Sequence, residues 1–184
     1  MKTSYKVMFG AVTCLLTILI SSFTFDAKKE EPTSFVQTTI PMFEMAKTHT
    51  LEVLDAMPEE KFSYKPTEVS KTFASQMVHI GYSMKYFRMG MIEGNRIKYE
   101  EPDPGNMTKA EIRELVATSF DDYISAIKML SEEDLKVELP FGPEKKISRA
   151  QAIIFAHDHV TNHRAKANLY VRMNDMDPPG YKFI

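Results

Sequence analysis

Cysteine is almost missing from this chain. Its 184 residues include one, Cys14, close to the N-terminus. No intramolecular disulfide can form, and beyond residue 14 there is neither a thiol nucleophile nor a soft sulfur ligand. An excess of one charge is missing too, since 23 Lys and Arg residues face 25 Asp and Glu residues. That near balance gives no support to nucleic-acid binding driven by electrostatics. Internal repeats and low-complexity tracts are also lacking. The one long apolar run, Val7 to Ile20, covers about 14 residues, fewer than the roughly 20 of a spanning helix.

That run has a basic lead, Met1-Lys2-Thr3-Ser4-Tyr5-Lys6. A positive segment before a short apolar one is the pattern of a secretory signal peptide, here expected over residues 1–27. Ala27 suits the last signal position, although Phe25 is bulky for the small-x-small rule. Thr13 before Cys14 fits a lipobox poorly. The expectation is an exported protein, periplasmic or secreted, with an uncleaved membrane anchor as the alternative. Removing the leader also removes Lys2, Lys6 and Asp26 and leaves about 157 residues, enough for one hydrophobic core.

Four helices are expected in that remainder. Ser34 to Met57 places Phe35, Met42, Ala46, His49, Val53 and Ala56 on one stripe, and Pro58 ends it. Glu59 to Ser70, with Tyr64-Lys65-Pro66, reads as a linker. From Ser70 to Glu93 the residues Phe73, Met77, Ile80, Met84, Phe87 and Met91 follow 4-3-4-3-4 spacing, the clearest amphipathic pattern in the chain. Gly94-Asn95 closes that helix. Thr108 and Glu111 form a capping-box pattern opening a third helix. Its expected buried face is Ile112, Leu115, Val116, Ser119, Tyr123, Ala126, Ile127 and Leu130. Val137 to Pro140 and Lys145 to Ile147 suggest a short β-like excursion around Phe141-Gly142-Pro143. Ser148 then caps a fourth helix expected to stop before Pro178-Pro179. The fold class is all-α, a four-helix bundle.

Three of the five histidines lie in this last helix. His159 and His163 are four residues apart, so their Cβ atoms are about 5–6 Å apart on one face. Two imidazoles so placed can share a metal ion, with Ala152, Ala156 and Ala167 leaving room nearby. The same spacing is common on helices that bind nothing. A third ligand would decide the matter. His79 is a candidate, about 100° from the centre of the second helix's apolar stripe by helical periodicity. There it can edge the core or point into a gap between helices. His157, two residues from His159, points elsewhere. His49 shares the inward stripe of the first helix, as a core residue or a group beside the same pocket.

Three segments resemble the DinB/YfiT-like superfamily of four-helix bundles. They are MPEEKFSYKP between the first two helices, KTFASQMVHIGYSMKYF in the second, and HVTNHRAKANLYVRMNDMDPPGY at the end. The resemblance covers most of residues 34–181. It implies a divalent-metal site, with zinc or nickel the expected ion, and the family's ligand positions fall on His79, His159 and His163. It further implies a small-molecule substrate and a metal-dependent hydrolase or a transferase using a low-molecular-weight thiol. A non-catalytic bundle that holds metal or ligand is the alternative. Many relatives carry His-Arg-Gly-Gln where this chain has His163-Arg164-Ala165-Lys166. The lost glycine is expected to tighten packing and Lys166 adds a cation, so no relative's substrate is carried over.

The remaining expectations are looser. Glu52, Asp122 and Tyr123 occupy inward or flanking positions without a motif behind them, and no catalytic base is assigned. Tyr82, Ser83 and Tyr86 lie within two turns of His79. The methionines of the second helix suit either a core or a homodimer face. Nucleic acid is not an expected partner, and a membrane is one only through an uncleaved leader.

Overall fold

The computed structural model describes residues 34–182, so the expected leader at 1–27 lies outside it. The helices are α1 (Phe35–Ala56), α2 (Phe73–Phe87), α3 (Lys109–Lys128), α4 (Glu132–Lys136) and α5 (Arg149–Arg172). A two-stranded antiparallel ribbon, β1 (Glu138–Pro140) and β2 (Lys146–Ser148), precedes α5, with Leu139 opposite Ile147. Val137 stays outside the ribbon because its N–H closes α4 on Asp134 O at 3.3 Å, although its carbonyl still accepts from Arg149 N at 2.9 Å. Among the described residues no helix is long and apolar enough to cross a membrane.

Side-chain caps start the helices. Ser34, Thr108 and Ser148 form full capping boxes with Gln37, Glu111 and Gln151. Each box satisfies amides that the first helical turn leaves without partners. A fourth box, Ser131 with Asp134, starts the short α4 that the hydrophobic pattern did not announce.

Several boundaries differ from expectation. α2 begins after Thr72 rather than at Ser70, because the Thr72 hydroxyl accepts from Ser75 N while Ser70 closes a turn on Thr67. It does not run as regular α-helix to Glu93. A π turn covers Arg88–Ile92, including Gly90, a weak helix former. The linker carries a 3₁₀ turn at Glu59–Lys61. α5 ends at Arg172, well before the prolines. Asp175 takes a left-handed conformation (φ 58°), and the Asn174 side chain donates to Tyr170 O at 2.9 Å. The polar Asn174-Asp175 pair therefore makes the stop.

α1 packs on α3 and α5, and α2 packs on the same two, so α1 and α2 lie diagonally across the bundle. The two-sided burial of α1 explains a shift in its inward face. Phe43, Thr50 and Leu54 are buried, whereas the expected Phe35, Met42 and Ala56 are only partly so. Thr50 is tolerated there because its hydroxyl donates to Ala46 O at 2.6 Å. The stripe of α2 is buried from Phe73 to Phe87, with Met91 half-buried. Met77 and Met84 are fully enclosed in the core. α3 buries Phe120 and Ile124 as well as the expected Ile112, Val116, Ser119, Tyr123 and Ile127, while the expected Leu115, Ala126 and Leu130 are only partly buried.

At Gly81 the backbone of α2 packs tightly against α3. A Cβ there would lie 3.0 Å from Leu115 Cγ and 3.2 Å from Val116 N. Gly81→Ala gains about 1 kcal/mol of helix propensity but incurs about 1–3 kcal/mol of overpacking. The expected net loss is on the order of 1 kcal/mol, read from the urea midpoint. An unchanged or higher midpoint would show that the contact relaxes freely.

Candidate metal centre

Three imidazoles meet at the seam between α2 and α5. His159 and His163 project from one face of α5, one turn apart, and His79 faces them from α2. The ring centroids are 4.3 Å apart for His79–His163, 4.6 Å for His159–His163 and 5.0 Å for His79–His159. One nitrogen from each lies within 4.8 Å of the others, so the cluster could hold a metal ion. His79 therefore points into the gap between helices. Ala152, Ala156 and Ala167 are fully buried in the bundle instead of leaving space beside the site.

The groups behind the rings set which nitrogen faces inward. His79 Nδ1–H donates to Glu101 Oε2 at 2.6 Å, and His163 Nδ1–H donates to Gln76 Oε1 at 2.7 Å. Both then turn an Nε2 lone pair toward the centre. His159 Nε2 lies 3.1 Å from His79 Nε2 and 3.2 Å from Ser83 Oγ. Two lone pairs facing each other at that distance repel unless a proton or cation sits between them. Metal–nitrogen bonds of about 2.0–2.1 Å at a tetrahedral angle give a nitrogen–nitrogen edge of roughly 3.3 Å. The donor set and its spacing thus fit a divalent ion.

Tyr99 and Glu101 come from the connection between α2 and α3. Tyr99 donates a short hydrogen bond to the carboxylate oxygen that His79 also uses, and Lys71 Nζ lies 3.5 Å from the other oxygen. Tyr82 and Tyr86 reach the site through Tyr99. They stack edge-on against Tyr99, at 4.9 and 5.1 Å, and Glu100 N donates to the Tyr82 hydroxyl at 2.8 Å. Their role is to hold the loop that carries Glu101. Phe87 and Phe155 close the other side against His159.

Electrostatics keep the centre ready for a cation. Burial, followed by the charge of His79, holds His159 down to about 4 and His163 down to about 3. Lys166 adds to both shifts. Burial pushes the Glu101 carboxyl up, but hydrogen bonds from Tyr99 and His79 outweigh it and leave it below the ordinary value. Burial and the bond to Glu101 raise the Tyr99 phenol, which stays protonated.

A pH dependence follows for the metal-free protein. A histidine whose folded pKa is lowered contributes stability that is complete above about 6.5, the unfolded value. As pH falls from there toward 4 and 3, the unfolded chain takes up protons that the folded one refuses. Burial lowers His49 and His157 as well, with the same sign. The urea midpoint of chelator-treated protein is expected to drop between pH 7 and pH 5, above the ordinary carboxylate range. An unchanged midpoint would contradict the lowered values.

The other sequence candidates lie elsewhere. His157 is a packing residue, edge-on to Phe43 at 5.5 Å. His49 is buried on α1, away from the three-histidine cluster. Tyr123 packs against Phe43 in the core, Asp122 lies 3.8 Å from Arg88, and Glu52 pairs with Lys182 at 2.9 Å. Ala165 is exposed, so its methyl does not tighten a helix contact. Glu101 was missed because it follows His79 by 22 residues in an acidic loop without a motif. Gln76 was legible: Gln76, His79 and Ser83 share one helical face beside the apolar stripe.

Comparison with known proteins adds to this geometry. The sequence profile of the DinB superfamily matches residues 42–167, which include all three histidines. YjoA of Bacillus subtilis (strain 168), an uncharacterised protein, is 24% identical over 136 residues, 72% of this chain and 87% of that one. Its crystal structure, described as DinB-like, covers 79% of this chain and 97% of its own, with a TM-score of 0.64. A DinB-like protein from Bacillus cereus has a TM-score of 0.65 at 16% identity, covering 80% of this chain and 95% of its own. A conserved protein from Enterococcus faecalis has a TM-score of 0.62 at 16% identity, covering 76% and 96%. At these identities the solved structures speak to the fold.

Proposed function

The chain belongs to the DinB superfamily, and from that premise we propose that His79, His159 and His163 hold one divalent ion, zinc or nickel, in a centre acting on a small molecule. The observation that carries this reading is the convergence of three imidazole nitrogens, two of them 3.1 Å apart, with His79 and His163 backed by Glu101 and Gln76. Three neutral imidazoles leave a coordination position open. An ion there would supply Lewis acidity, lowering the pKa of a water or thiol that reaches it. The reaction class is hydrolysis or thiol-dependent transfer. Export from the cytoplasm, if the leader acts as expected, makes hydrolysis the more natural of the two.

The chain's own groups have separable tasks in this reading. Glu101 and Gln76 fix two imidazole tautomers. Ser83 is placed to hydrogen-bond at the open side of His159. Phe87 and Phe155 limit water on one flank, while Lys71 and Lys166 favour an anionic or polarised substrate. One observation favours a non-catalytic metal-binding bundle instead. Among the described residues Glu101 is the carboxylate bonded to the cluster, and both its oxygens are engaged, so it is not a free general base.

Elemental analysis of the purified full chain tests the centre, with about one ion per chain expected. A metal-free chain that gains no stability from zinc or nickel would overturn it. Turnover of ester or amide substrates supports the hydrolase, thiol-dependent conversion supports the transferase, and metal without turnover supports the binding protein. Export is tested by fractionation, and an unprocessed chain confined to the cytosol would refute it.

A further inference from the structure

α5 has a second polar edge, facing away from the histidine cluster. Thr161, Arg164 and Asn168 recur at spacings of three and four toward α1, where His49 meets them. Together with Ala165 and Tyr181 they line a cavity of about 110 Å³. Pro179, Tyr181 and Lys182 of the C-terminal segment lie against this seam.

The cavity concentrates unmet hydrogen-bonding capacity. His49 Nε2, Thr161 Oγ1 and Asn168 Oδ1 are buried atoms with no hydrogen-bond partner among the described residues, and His49 as a whole is 7% exposed. Glu52 Oε2, one turn along α1 from His49, is in the same condition. Arg164 is also 7% exposed, and among the described residues it has no carboxylate partner. Its guanidinium donates to Ala46 O at 3.3 Å, an oxygen already used by Thr50. Glu52 is balanced by Lys182 at 2.9 Å, so among the described residues no carboxylate is left to offset Arg164. Each unsatisfied polar group costs folding free energy, and an unpaired buried cation costs more.

The polarity of these groups specifies what would satisfy them. Arg164 and the Thr161 hydroxyl offer donors to a carboxylate. The Pro179 backbone faces His49 and has only a carbonyl to offer; with Nδ1 donating to it, Nε2 is an acceptor in need of a donor. Asn168 Oδ1 is a second acceptor. At about 30 Å³ per water, the space suits three or four waters or one ligand of about five non-hydrogen atoms.

We propose that this α1–α5 cavity is a binding site for a small 2-hydroxycarboxylate, its carboxylate on Arg164 and Thr161 and its hydroxyl donating to His49 or Asn168. The ligand's single negative charge balances Arg164, and its hydroxyl supplies the donor that a simple carboxylate lacks. The site is separate from the histidine cluster, on the opposite edge of α5.

The test uses the purified full chain with glycolate, acetate and ethylene glycol as probes, followed by thermal unfolding and calorimetry. Glycolate is expected to bind saturably and to raise the Tm by about 5 °C or more at saturation. Acetate should act more weakly, and ethylene glycol not at all. Arg164 variants are poor reporters because they risk misfolding, so Thr161→Val and Asn168→Leu are used; each should fold and lose at least tenfold in glycolate affinity. The His163→Ala chain should keep the wild-type response, since carboxylates also bind metals. A response lost in His163→Ala but kept in Thr161→Val and Asn168→Leu would place the ligand at the histidine cluster and overturn the proposal. No response to glycolate would mean a cavity filled by water only, and would overturn it equally.

Discussion

His163→Ala is expected to weaken zinc or nickel binding by more than 100-fold while leaving the bundle folded. The size follows from comparison, because losing only a group that orients a ligand typically costs 10–100-fold, and here a ligand itself is removed. His163 is held by Gln76 at 2.7 Å and stands within ring contact of both other histidines, so nothing nearby replaces it. It is only partly buried, and its loss leaves no large core void. His159→Ala should behave alike. His157→Ala is the internal control, since that ring packs on Phe43 and should leave metal affinity unchanged. Competition with a chromophoric chelator reads all three. Wild-type affinity in either ligand variant would remove the basis of the metal centre.

Glu101→Gln should reduce metal affinity by about 10–100-fold, the usual range for a carboxylate behind a histidine ligand. The carboxylate receives His79 Nδ1–H at 2.6 Å and the Tyr99 hydroxyl on one oxygen. A neutral amide has one acceptor oxygen and no charge, so it polarises His79 less and holds its tautomer less firmly. Tyr99→Phe should cost less, because it removes one donor while the charge remains. Affinity in Glu101→Gln equal to wild type would mean that the loop only packs against the centre. Equal losses in both variants would point to the loop's position rather than the carboxylate's charge.

How much of this was legible in the sequence depends on whether the signal is local. Capping boxes, the α2 stripe and the i, i+4 relation of His159 and His163 are set within one or two turns by backbone geometry. They could be read without knowing what packs on what. The missed boundaries also have local causes, such as the Ser131 box or the Asn174-Asp175 stop, but these compete with stronger-looking signals such as Pro178-Pro179. The inward face of α1 was shifted for a non-local reason: it is buried by two neighbours, and a single stripe describes burial by one.

The sequence by itself determined that this is an all-α bundle, and that two histidines share a helix face with a third available elsewhere. The tertiary structure decided the rest. It brought His79 across from α2, chose Glu101 and Gln76 as the groups that orient the rings, and left Glu52, Asp122 and Tyr123 in other roles. It also placed His49 beside Thr161, Arg164 and Asn168 around one cavity, though His49 lies more than a hundred residues from the other three along the chain. Side-chain periodicity is a property of one helix, whereas these juxtapositions depend on how helices distant in sequence are aligned along their seams.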